Sequence, residues 1–162
     1  MKQLKPLFSH KSTSWITPPE LWEDIRDTFE IELDPCGHET ETLPGIEHTI
    51  RLPDNGLLFD WCANTFINPP YSSIELWVNK TIEEYTKNPK CNYVMLLPSR
   101  TDRPFFRKLL QHSIAICFIS KRLKFSNTKN NAPFPSLISV LTGNEHLTPN
   151  QLQILEKHGY VI

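Results

Sequence analysis

Thr65-Phe66-Ile67-Asn68-Pro69-Pro70-Tyr71-Ser72-Ser73 is the stretch that decides the fold. A short apolar run, residues 65–67, stops on an Asn followed by two prolines. Pro69 and Pro70 have fixed φ and no N–H, so neither extends a strand ladder. The residue before a proline is also pushed out of the α region. Beyond Tyr71, Ser72 or Ser73 is placed to cap a helix whose apolar positions Ile74, Trp77, Val78, Ile82 and Tyr85 recur at helical spacing. The stretch reads as strand, rigid polar turn, helix. In open α/β sheets, ligands sit just outside the carboxyl ends of such strands.

The turn carries its own chemistry. The Asn68 side-chain carbonyl and the backbone carbonyl of Pro69 can converge as two acceptors. That pair suits a planar exocyclic amine, whose two N–H groups point in fixed directions. Tyr71 beside them offers a stacking face for a base. The plain alternative is a proline-rich loop with no ligand, in a chain that has 14 prolines.

Toward the N-terminus, Thr17 and Glu20 have the spacing of a capping box, with Pro18 at the first helical position. Leu21, Ile25 and Phe29 then mark one face of a helix ending near Phe29. Trp15 lies just outside this cap, either as a hydrophobic staple or as an aromatic wall of a pocket. Residues 31–33 read as a short strand running into Asp34-Pro35-Cys36-Gly37, a second turn at a sheet edge. An Asp there accepts from a ligand's amine or hydroxyls, or from local backbone N–H groups in an Asx turn. Residues 38–63 have no clear periodicity and contain the turn Asp54-Asn55-Gly56. Loops of that length are often functional.

Toward the C-terminus, strands are expected at 93–97, 114–119 and 137–141, with a helix over 104–112 between the first two. Thr148 and Gln151 form another capping box, opening a helix that runs to Gly159. Apolar strands alternating with helices indicate an α/β fold with a mostly parallel sheet covered on both faces. The last two strands, joined by a polar loop, suggest one antiparallel edge strand. At 162 residues the chain is expected to be one domain, with residues 1–13 as a flexible arm.

The net charge of −1 conceals an asymmetry. Residues 20–60 hold 12 acidic side chains against Arg26 and Arg51, whereas residues 100–129 hold eight basic ones against Asp102 alone. The basic set includes Arg100, Arg103, Lys121, Arg122 and Lys124. This is a footprint for nucleic acid on one side, or a solvated basic face. The four cysteines are widely spaced and form no C-x-x-C pair, so reduced and mostly buried thiols are expected, and no metal site. No apolar run approaches the roughly 20 residues of a membrane span, and no apolar signal region opens the chain, so a cytoplasmic protein is expected.

Taken together, these pieces resemble the small phage-type (Dam-like) DNA N6-adenine methyltransferases, within the class I S-adenosylmethionine-dependent methyltransferases. The matching pieces are Trp15-x-Thr17-Pro18, Leu33-Asp34-Pro35-Cys36, Asn55-Gly56-Leu57 before Trp61, and Asn68-Pro69-Pro70-Tyr71. Leu97-Pro98-x-Arg100, Arg122-Leu123-Lys124-Phe125 and Ala132-Pro133-Phe134-Pro135 complete them, in register over about residues 12–141. The resemblance implies a compact class I (Rossmann-like) sheet, shortened between its first strand and its catalytic strand. It implies S-adenosylmethionine as cofactor, held by Trp15, Thr17, Asp34, Pro35, Cys36, Asp54, Asn55 and Asn68. It implies catalysis at Asn68, Pro69, Pro70 and Tyr71 on a base rotated out of double-stranded DNA, with Arg100, Arg103, Lys121, Arg122 and Lys124 on the phosphates. A phage-encoded member would work in the host cytoplasm, in restriction-modification or against it. The same acceptors would serve cytosine N4 or RNA, and a catalytically inactive DNA-binding relative would share the fold. A metal-dependent hydrolase built on His38, His48 and Asp54 fits no metal spacing. Only 33 residues separate Asp34 from Asn68, too few for two further βα units, so the pocket has to be completed by other means.

Overall fold

Helices and strands follow one another along the chain as α1 (Pro19–Phe29), β1 (Leu33–Asp34), β2 (His48–Thr49), β3 (Thr65–Ile67), α2 (Ile74–Lys87), β4 (Tyr93–Pro98), α3 (Pro104–His112), β5 (Ala115–Ile119), β6 (Ser136–Leu141), α4 (Pro149–His158) and β7 (Gly159–Val161). The computed structural model describes residues 15–162, and the arm expected over 1–13 lies outside the described residues. One sheet has the order β2-β1-β3-β4-β6-β5-β7. β2, β1, β3 and β4 pair in parallel, and β6 pairs antiparallel with both β4 and β5. β5 therefore points the same way as β4, and the carboxyl ends of β1 to β5 share one edge. No helix among the described residues is long and apolar enough to cross a membrane.

The expected mixed α/β sheet is present, with two corrections. The antiparallel strand over 136–141 lies inside the sheet, because its six residues pair along one side with β4 and along the other with β5. The antiparallel edge strand is β7, which pairs with β5. Its approach needs a glycine, since a Cβ at Gly159 would lie 2.0 Å from the Phe118 carbonyl. The unpatterned region 38–63 supplies only β2 and a single 3-10 turn, Gly56–Leu58.

Alternation along the strands builds two core layers. Phe66, Val94 and Leu96 face Leu21, Trp22, Ile25 and Phe29 of α1 and Leu155 of α4. Ile67, Met95 and Leu97 face Ile74, Trp77 and Val78 of α2 and Phe105 and Leu109 of α3. Period-2 strands buried on both faces leave helices as their only cover.

Neither of the expected caps near the turn forms. Pro18 occupies the N-cap position of α1, and no side chain caps that helix. The 3-10 turn Tyr71–Ser73 leads into α2, and the Ser73 hydroxyl donates to the Pro70 carbonyl at 3.3 Å. The α4 capping box does form, with Thr148 and Gln151 bonding reciprocally. Of the four cysteines, Cys117 is buried, Cys36 and Cys91 are half-buried and Cys62 is exposed, so the thiols are less buried than the composition suggested.

A buried carboxylate fastens the 56–61 segment to α2. Glu84 is fully buried and accepts the Trp61 backbone N–H at 2.7 Å and the Lys80 ammonium at 2.6 Å. The Trp61 indole N–H donates to the Gly56 carbonyl, and its ring stacks on Trp77 at 6.2 Å. Gly56 in turn abuts the turn after β1, where a Cβ would come within 1.9 Å of the Pro35 carbonyl.

Candidate active site

Asp34 ends β1 and Asn68 follows β3, so two parallel neighbours deliver both side chains to the same sheet edge. Between them opens a cleft of about 290 Å3 lined by Trp15, Thr17, Asp34, Cys36 and Asn68. Ile16, Pro19, Trp22, Glu23, His38, Glu41, Thr42, Leu43, Pro44, Phe66 and Ser126 complete its walls. Pattern reading missed most of these, because long-range contacts bring them in. The indole N–H of Trp22 and the guanidinium of Arg26 both donate to the Pro44 carbonyl, at 2.8 and 2.9 Å, which holds segment 42–44 against α1. That wall of the cleft therefore comes from segment 42–44 and the helix that precedes β1.

At the turn after β3, the Asn68 Nδ2 donates to the Trp15 carbonyl and, at 3.1 Å, to Thr17 Oγ1. Asn68 Oδ1 is buried and has no partner. Tyr71 sits beside Trp15 and Phe134, with ring centroids at 6.3 and 5.5 Å. Trp15 packs on Phe125 and Phe134 at 5.1 and 5.4 Å, so its ring stands in the pocket wall. The buried Tyr71 hydroxyl also lacks a partner, and burial holds its pKa well above the ordinary range, so the phenol stays neutral.

Asp34 is 5% exposed, and burial pushes its pKa up to about 7. The Cys36 backbone N–H, donating to Oδ1 at 3.1 Å, and the Arg51 charge oppose that rise. Burial and the adjacent Asp34 carboxyl together raise the Cys36 thiol. Because the native pKa exceeds the unfolded value, the folded chain binds the extra proton between about pH 4 and 7. Stability from this group is full below pH 4 and is lost as pH rises through 7. Asp34→Asn is therefore expected to gain stability relative to the native chain across that window, by on the order of 4 kcal/mol at pH 8. Arg51, Cys36, and the His38, Glu23 and Glu41 side chains of the same cleft are unchanged in the variant. Urea unfolding of both proteins at pH 5 and pH 8 measures the difference, and an equal gap at the two pH values contradicts the titration.

The other sequence-selected residues fall around this centre. Pro35 is buried under Gly56, and Pro69 is buried behind the turn. Asn55 caps the 56–58 turn by accepting from the Leu57 N–H, Asp54 is exposed, and neither lines the cleft. Arg100, Arg103, Lys121, Arg122 and Lys124 are exposed. They follow β4 and β5, whose carboxyl ends lie on the edge that bears Asp34 and Asn68. Arg100 pairs with Asp102 at 3.4 Å. Among the described residues no three His, Cys, Asp or Glu side chains gather as a metal site.

A cleft at the carboxyl edge of a mixed α/β sheet, walled by aromatic rings and holding the unpaired Asn68 Oδ1, is the kind of place where α/β proteins take small polar ligands. Residues 7–140 match the family model described as DNA N-6-adenine-methyltransferase (Dam), and the chain belongs to that family. This is the family that the motifs around Asn68 resemble, and it makes the protein a methyltransferase of the DNA adenine type. No curated protein matches the chain.

Proposed function

We propose that the protein transfers a methyl group from S-adenosylmethionine to the N6 amine of an adenine rotated out of duplex DNA, using a compact class I sheet. The observation that carries this reading is the unpaired Asn68 Oδ1. A buried acceptor without a partner is costly, so its persistence points to a donor supplied from outside. An adenine N6 amine is such a donor.

The cleft suits the methyl donor. S-adenosylmethionine is cationic at its sulfonium and its amine, and Asp34, Glu23 and Glu41 bring carboxyl groups to the walls. The Trp15 face and the apolar Trp22 and Phe66 offer a surface for a cation and for an adenine ring. When bound, the cofactor supplies an electrophilic methyl group.

The chain supplies the rest. An adenine amine is a weak nucleophile because its lone pair is delocalised into the ring. Asn68 Oδ1 and the Pro69 carbonyl, accepting its two N–H bonds, favour a tetrahedral nitrogen and stabilise the positive charge that develops there. Tyr71 stacks on the base, and its neutral phenol adds no competing charge. Holding nitrogen and methyl in line contributes much of the remaining rate. The basic residues after β4 and β5 hold the flanking phosphates on the same edge.

The test is to incubate the protein with methyl-labelled S-adenosylmethionine and mixed-sequence duplex DNA, then digest the DNA to nucleosides. Label in N6-methyl-2′-deoxyadenosine is expected. Label only in N4-methyl-2′-deoxycytidine, or bound DNA with no label, overturns the reading.

A further inference from the structure

Both N–H directions of the Asn68 amide are fixed from one side. The Trp15 carbonyl can only accept, so the atom facing it has to be the NH2, and the amide cannot be flipped. The second N–H goes to Thr17 Oγ1 at 3.1 Å. Thr17 is 4% exposed, and its hydroxyl serves this bond while α1 goes without a side-chain cap. The segment that carries both acceptors is itself pinned. The Ile16 N–H donates to Asn127 Oδ1 at 3.1 Å, and the Ser126 N–H donates to the Ile16 carbonyl at 2.9 Å. The Ser126 hydroxyl donates to the Thr17 carbonyl at 3.3 Å.

An Asn amide rotates broadly about its last torsion when nothing holds it. Turned over, it would aim its NH2 at the incoming amine, donor against donor. We propose that Thr17 is a positioning residue for methyl transfer: its hydroxyl and the Trp15 carbonyl hold both N–H groups of Asn68, so that Oδ1 is the atom presented to the target amine. This rests on the reading of Asn68 as the amine acceptor. The arrangement also selects an amide over a carboxylate. An aspartate at 68 would set one oxygen against the Trp15 carbonyl, acceptor against acceptor.

Thr17→Val keeps the shape of the side chain and removes the hydroxyl, and Thr17→Ser restores it. For Thr17→Val, kcat is expected to fall about tenfold, the worth of one orienting hydrogen bond. KM for DNA and for S-adenosylmethionine should stay within about twofold. Thr17→Ser should recover most of the loss, and Thr17→Ala should repeat it should the valine variant fold poorly. A second readout needs no turnover. In 15N-labelled protein, the Asn68 side-chain NH2 protons should exchange slowly with solvent in the native chain and in Thr17→Ser, and about tenfold faster in Thr17→Val.

Native kcat in both Thr17→Val and Thr17→Ala overturns the proposal. So does a rise confined to KM for S-adenosylmethionine, which would make Thr17 a cofactor contact. Asn68→Ala separates the two levels. An active Asn68→Ala removes the reading of Asn68 itself, whereas an inactive Asn68→Ala beside a fully active Thr17→Val removes only the role of Thr17.

Discussion

Replacing Asn68 by Ala will lower methyl transfer to DNA by at least about a hundredfold, the scale on which single preorganised electrostatic partners act in enzyme sites. The variant should remain folded. It gives up the bonds to the Trp15 carbonyl and Thr17, and both of those acceptors lie beside an open cleft where water replaces the lost N–H groups. S-adenosylmethionine affinity should change little, because Trp15, Asp34 and Glu41 still line the walls. Tritiated methyl incorporation and calorimetric titration of the cofactor measure the two quantities separately. Near-native incorporation would sink the assignment of Asn68, and a parallel collapse of cofactor binding would make the residue a binding contact.

Glu84→Ala is expected to cost the largest stability of any single change considered, about 3–5 kcal/mol. The substitution takes away the carboxylate 2.6 Å from the Lys80 ammonium, only 10% exposed, and leaves Glu83 at 4.0 Å as its remaining ion-pair partner. It also removes the acceptor of the buried Trp61 N–H. For a domain of this size the melting temperature should fall by about 10 °C. Glu84→Gln keeps an acceptor for Trp61 while losing the charge, and should fall between the two. The loss should reach the cleft, because Trp61 holds Gly56 and Gly56 buttresses the Pro35 turn beneath Asp34. A melting temperature within about 2 °C of the native value would show that the carboxylate is dispensable.

Much of the fold was legible because β3, β4, β5 and β6 are apolar runs bounded by turn residues, and period 2 or continuous burial leaves few alternatives. β2 escaped notice because its residues are a partly exposed His48 and Thr49, whose strand character comes from pairing with β1. β7 escaped because Gly159 reads as a helix stop, and only the ladder to β5 makes it a strand. The interior place of β6 is a matter of strand order, which no local pattern encodes. At the cleft, the turns that carry Asn68 and Asp34 were legible as sheet-edge turns, while the roles proposed for their side chains in methyl transfer came from the family resemblance. Thr17 was misread as a cap because its local spacing to Glu20 is that of a capping box, while its partner lies 51 positions away. Glu84 shows the same limit. No local pattern marks it as buried, and the Trp61 N–H that it accepts lies 23 positions earlier.

The amide clamp has a kinetic consequence. Trp15 and Asn68 are 53 positions apart, and Ile16 and Asn127 are 111 apart. Contacts so distant along the chain close slowly, since each must first meet the entropy of a long loop. A folding intermediate that holds β3 and its turn already contains the tetrapeptide, yet it has no fixed acceptor until residues 15–17 and 126–127 have met. A chain in which those segments have not met would carry the tetrapeptide without the clamp that fixes the Asn68 amide.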